Sequence, residues 1–366
     1  MTAKPGWHNV VRIVWISGGV VAVNNPGPEV LITAGCGGPM LVTLRIPTYA
    51  SLLTAIRELD VSIIGATFIE GTEEALGLRR PQFRAFNTDE GWLVENMHQK
   101  WRQIAHASSQ RDEMQLMDVA ARVASGLSYS EMRLQDLAEA YSVQLRSCTH
   151  GNAIQEYRRF KDTNSPAVYK AIHALFWEMA VLRDTLAEFA AAFCFAREGV
   201  TTLTGLTRSL RKAPSSDDLA RILLGATDET TNGWLSVFTS YRNLFTHSAP
   251  MEQAAGVAFA VQDTRVIATK QSIPQIYYPL PSNVSELARR RSRGSLFKTF
   301  KELVDACSGV RHERHSEPDA LDYLRGCLDQ LVLLSTLLAD RSPIKPKLIE
   351  INSNDIIGGI QISPMQ

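Results

Sequence analysis

An α+β protein is predicted: a small mixed α/β unit first, then a helical bundle carrying an inserted β-hairpin. Three observations predict it. β-rich runs fill residues 8–70 and give way to helical periodicity near residue 85. A seam of apolar residues spaced by fours and threes begins at Val168. Strand-like alternation returns only around Asp263 and Thr264. The segments expected are residues 1–84 (mixed α/β), 85–163 (a helical connecting region), 164–342 (the bundle, with its hairpin near 255–280) and 343–366 (a tail).

In the first segment "NVVRIVWI", "EVLITA", "MLVTLRI" and "VSIIGATFI" read as strands, with a helix in "TYASLLTAIRELD" before the last. "NNPGP" is a turn, because proline sets φ and glycine accepts positive φ. "TAGCGGPM" lacks the glycine spacing of a phosphate loop and reads as an ordinary loop. Thr88 can cap a helix through "GWLVENMHQKWRQIAHA". Ser128 with Glu131 three residues on makes a capping box that opens another. Ser165 and Pro166 start the next, as cap and first helical residue.

That next helix carries Val168, Ile172, Leu175, Met179, Leu182, Leu186, Phe189 and Phe193 in one seam. It implies roughly 30 residues of helix, about 45 Å at 1.5 Å per residue, stopping near Gly199. Such a seam means a helical bundle or a dimer interface. A helix over about 229–247 follows "RKAPSSDD", and two more are expected near 284–307 and 317–340. The last shows Leu321, Leu324, Leu328, Leu331 and Leu334 on one face. A short apolar run at Ile356–Ile360 can form a strand.

Composition narrows the classes. Lys+Arg and Asp+Glu number 38 each, so no global positive field marks a nucleic-acid binder and any such surface is local. The five scattered cysteines, none in a Cys-x-x-Cys pair, suit a reducing compartment. No run approaches the roughly 18 apolar residues of a membrane span, and the first apolar run is broken by Arg12 and Gly18-Gly19. A cytoplasmic protein with no membrane partner is expected.

The stretch "WLSVFTSYRNLFTHSAP" holds the candidate chemistry. Trp234, Phe238, Tyr241 and Phe245 step by 4, 3 and 4 and form a buried stripe. Asn243 and His247 lie one turn apart on nearly one face. Arg242 and His247 are five apart, about 140° around an α-helix, and can share a target only if the helix ends or loosens near His247. Pro250 biases the chain that way. The bland account is a solvated helix face, with His247 complementing the C-terminal dipole.

"RNLFTH" resembles the Arg-x4-6-His signature of the HEPN superfamily, in its Arg-Asn-x-x-x-His form. The likeness covers about 165–342: a long preceding helix, an aromatic-rich motif helix and later helices that close a bundle. The hairpin is an insertion relative to a minimal bundle. The resemblance implies a metal-independent ribonuclease of toxin or antiphage-defence type, without a cofactor. RNA would be cut by its own 2′-hydroxyl, leaving a 2′,3′-cyclic phosphate and a 5′-hydroxyl. His247 suits either proton transfer, because its ordinary pKa lies near 6.5. Arg242 offers a permanent forked charge to the phosphate. Asn243 can bond a phosphate oxygen or orient its neighbours. The family pairs two bundles so that two motifs face one cleft, so a homodimer is expected, with the 166–198 helix a candidate contact. The N-terminal unit would hold a trigger or inhibitor protein. A non-catalytic interaction module and a nucleotide-binding module are the alternatives.

Other candidates are weaker in kind. Arg289, Arg290, Arg291 and Arg293, interleaved downstream with Phe297 and Phe300, form the most basic window and would hold RNA or be a solvated face. His312 and His315 could contact phosphate, or sit in a polar loop without enough ligands for a metal. Glu178, Arg183 and Asp184 lie off the long seam, and one of them could flank the motif. His98, His106 and His173 have no partner at a telling spacing and read as structural.

Overall fold

The computed structural model describes residues 6–87, 89, 91–150, 154–213, 216–248, 260–281, 284, 299–301 and 317–346. Its N-terminal unit is a six-stranded antiparallel sheet of order β4-β3-β2-β1-β5-β6. The strands are β1 (Val11–Ile16), β2 (Val21–Asn24), β3 (Glu29–Thr33), β4 (Met40–Arg45), β5 (Ile63–Ile69) and β6 (Gln82–Ala85). Helix α1 (Leu52–Arg57) carries the chain from the β4 edge back to β5 and buries Leu52 and Ile56. A short helix α2 (Thr72–Ala75) precedes β6. The β6 strand was not expected; its four residues are too few for alternation to stand out.

One face of the sheet packs on helices. α3 (Leu93–Ser109) is followed by α4 (Met114–Thr149), 36 residues in one piece. The expected start at Ser128 is therefore corrected: the helix runs through it. Glu131, read as half of a capping box, is buried and accepts a hydrogen bond from the Ala85 N–H at 2.7 Å. Its carboxylate ties β6 to α4. Helix α3 begins after Trp92, while Thr88 lies outside the described residues.

Two turns set the sheet against α4. Gly19 and Gly35 have φ of 86° and 81°, and a Cβ on either would lie 2.6 Å from the Tyr141 carbonyl oxygen or 2.2 Å from that of Ser142. Only glycine meets both conditions, the left-handed backbone and the close approach. In the same turn the Cys36 N–H donates to Ser142 Oγ (2.7 Å), and Arg146 donates to the Cys36 carbonyl (2.9 Å). The glycine run is thus a docking turn on α4.

The long seam forms as expected. α5 (Ser165–Phe189) is extended by a π-helical turn, Ala190–Cys194, making 30 residues in all, and Gly199 follows at φ 71°. Seven of the eight seam residues are fully buried, with Phe193 half-buried. The cap differs by one residue: Asn164 is the N-cap, and Asp162 accepts from the Asn164 and Ser165 N–H groups at 2.9 Å. The seam is buried inside this chain, between α4 and the helices that follow.

Those are α6 (Leu203–Lys212), α7 (Asp218–Ala226), α8 (Trp234–Asn243) and α9 (Ala320–Ala339). The short α6 and α7 flank the loop expected at 211–218. Residues 229–233, expected in the motif helix, form a turn with Asn232 at φ 53°. The hairpin is present as β8 (Ala260–Val266) and β9 (Ser272–Tyr277), joined by β7 (Arg159–Phe160) into a three-stranded sheet. In α9 the five leucines of the expected face are buried. Most of the expected 284–307 helix, and the run at 356–360, lie outside the described residues. Among those described, no helix is long and apolar enough to cross a membrane.

Candidate functional site

α8 packs antiparallel to α5 through its aromatic stripe. Phe238 stacks on Phe176 at 5.5 Å between ring centroids, and Phe245 meets the same ring edge-on at 5.3 Å. Tyr241 is buried, and its hydroxyl donates to the Pro281 carbonyl at 2.9 Å. Trp234, also expected in the stripe, is half-buried. Each aromatic pair adds about 0.5–1.5 kcal/mol beyond area burial, so this interface is rigid enough to hold neighbouring polar groups in register.

Beyond Asn243 the helix changes type. Leu244–Ser248 is a π-helical turn, which has i→i+5 hydrogen bonding and about 4.4 residues per turn in place of 3.6. The rotation from position 242 to position 247 therefore falls from about 140° to roughly 70°. The loosening that the Arg–His spacing required is present in the backbone at that point.

Arg242 is half-buried at the edge of the stripe. Its guanidinium donates to Asn243 Oδ1 at 3.1 Å and lies 5.4 Å from the centroid of the Trp177 ring on α5. Trp177 is 54% exposed, an unusual placement for so large an apolar surface. Arg242 and the exposed Asn243 thus share one polar edge facing solvent.

Of the three α5 residues that could flank the motif, Arg183 and Asp184 act together, one level lower. Buried Arg183 donates to Thr239 Oγ1 at 2.9 Å and pairs with Asp184 at 2.9 Å, while Asp184 also accepts the Leu203 N–H at 3.1 Å. This lock fixes α5 against α8 and the start of α6. Glu178 is half-buried on the α4 side, where burial raises its pKa against the pull of Arg133.

His173, read as structural from its spacing, lies beside the motif. Its ring stacks on Phe245 with centroids 5.7 Å apart and planes 18° apart. It sits one turn before Trp177 on α5, and burial lowers its pKa. The motif residues it meets come from α8 and the turn after it, about 70 positions downstream, so no local spacing ties it to them.

Arg289, Arg290, Arg291, Arg293, His312 and His315 lie outside the described residues. Among the described residues no three His, Cys, Asp or Glu side chains gather where they could hold a metal ion. Compared with family models, with curated proteins and with solved structures, the chain matches none.

Proposed function

We propose that this chain is a metal-independent endoribonuclease of toxin or antiphage-defence type. RNA is cleaved by attack of a 2′-hydroxyl on the adjacent phosphate, leaving a 2′,3′-cyclic phosphate and a 5′-hydroxyl. Arg242 neutralises charge that gathers on the phosphate oxygens, Asn243 holds the guanidinium, and His247 moves a proton. The π-helical turn carries the reading, because it turns positions 242 and 247 toward a common side of the helix. The resemblance of "RNLFTH" to the HEPN motif supplies the reaction class and the defence role. Pairing of two such bundles is part of the same proposal. Since the α5 seam is consumed within the chain, pairing through that helix would use its outer side, where Trp177 and Val181 are exposed.

A second reading draws on the exposed Trp177 ring beside Arg242. An aromatic face with an adjacent guanidinium also suits a nucleotide bound without turnover.

One assay separates them. End-labelled single-stranded RNA is incubated with the pure protein in EDTA. Cleavage that persists in chelator and falls at least about 100-fold in both Arg242→Ala and His247→Ala is the expected result. Equal cleavage by the substituted proteins, or tight nucleotide binding with no product, removes the nuclease reading.

A further inference from the structure

An internal phosphoryl transfer of this kind needs two proton movements. One group takes the 2′-hydroxyl proton as the 2′-oxygen bonds to phosphorus. Another gives a proton to the 5′-oxygen as its bond to phosphorus breaks. His247 can serve one of these steps.

We propose that His173 is the second imidazole of the site, so that each chain carries both the base and the acid and pairing of two bundles is not what completes the pair. This rests on the ribonuclease reading above. The geometry that carries it is the α5–α8 contact. His173 stacks on Phe245, which belongs to the same π-helical turn as position 247. On its own helix His173 stands one turn from Trp177, a spacing of about 5–6 Å between Cβ atoms. The Trp177 ring lies 5.4 Å from the Arg242 guanidinium. Arginine, tryptophan and this histidine therefore follow one another along the shared edge of two helices.

The electrostatic setting fits a proton acceptor. Burial disfavours the imidazolium form and lowers the pKa of His173. Lys170 stands one turn back on α5, and Arg242 lies beyond Trp177 on α8. A neutral imidazole takes the 2′-hydroxyl proton; His247 returns one to the 5′-oxygen, and water resets both rings afterwards. Phosphorus exchanges one oxygen partner for another and no co-reactant is consumed.

The test uses the full chain and a single-stranded RNA oligonucleotide. The dependence of kcat/KM on pH is measured for the parent, His173→Gln and His173→Phe. Phenylalanine keeps a ring against Phe245, so it preserves packing while removing the titrating nitrogens. The expected result is a loss of about 100-fold or more in both variants, within the range for a lost general base, with an unchanged melting temperature. The parent's acid-side limb, centred below the ordinary imidazole value, disappears with it. Mixing His173→Gln with His247→Ala leaves the mixture inactive, since neither chain holds a complete pair. The inference is overturned if both His173 variants cut within threefold of the parent and keep the limb while His247→Ala is dead. In that case the ribonuclease reading stands alone. Recovery of activity on mixing also overturns it, since the pair would then be shared between chains. A parent that cuts no RNA removes both readings.

Discussion

At the scale of single residues, the motif and its supports differ in how far spacing reveals them. Arg242, Asn243 and His247 are legible because they lie within six positions of each other and an aromatic stripe places their helix. His173, Trp177 and the Arg183–Asp184 lock are set by contacts across two helices, which no one-dimensional period encodes. Glu131 shows a misleading local signal: Ser-x-x-Glu reads as a cap, yet the carboxylate is consumed by the Ala85 N–H. That burial pushes its pKa up to about 7, desolvation outweighing the hydrogen bond. A carboxyl whose folded pKa is raised contributes fully below its unfolded value, near 4.5, and loses that contribution as pH rises through about 7. Glu131→Gln keeps an acceptor for Ala85 without the charge. Its stability should match the parent near pH 4 and exceed it by up to about 3 kcal/mol at pH 8, by denaturant unfolding at the two pH values. Equal gains at both would show that the carboxyl does not titrate in this range.

Elements follow from sequence where their period is long. The α5 seam is readable because eight positions repeat without interruption, and the α9 leucine face for the same reason. The α4 helix is continuous where a start was expected because its first turns bury Leu116, Val119, Ala120 and Val123 against neighbours, overriding the internal cap signal. The β1, β3, β4 and β5 strands have clear β-branched runs, whereas β6, α6 and α7 are too short to show a period. The turn at Gly35 gives a direct test of the sheet's seat on α4. Gly35→Ala combines a left-handed backbone with a Cβ 2.2 Å from the Ser142 oxygen, and should cost about 2–4 kcal/mol. Gly37→Ala, at φ 71° with only the Arg146 side chain 3.4 Å away, should cost about 1 kcal/mol. Similar melting temperatures for the two variants would refute this seating.

The whole molecule is joined by one buried group that no motif announced. Asp319 caps α9 through the Leu321 and Asp322 N–H groups, and also accepts from the Tyr141 hydroxyl (2.9 Å) and the Tyr278 N–H (2.8 Å). It links α9, α4 and the end of the hairpin strand. Ser17, in the turn after β1, donates to Asp322, adding the sheet to the same node. Asp319→Ala would leave four donors without this acceptor and should destabilise the protein by at least about 3 kcal/mol, while Asp319→Asn, which retains a carbonyl, should lose less. A small, equal effect of both on urea unfolding would show that the donors find water instead.

The single-piece α4 also has a mechanical meaning. At 1.5 Å per residue its 36 residues span about 54 Å, and the glycine turns grip it near one end. The sheet also holds this helix near its middle, through the Glu131–Ala85 hydrogen bond, and about a third of the way from its start, at Gly126, it rests on Leu182 of the helix bearing His173 and Trp177. One unbroken helix therefore touches both the sheet and α5, so the two halves of the chain share a single structural member.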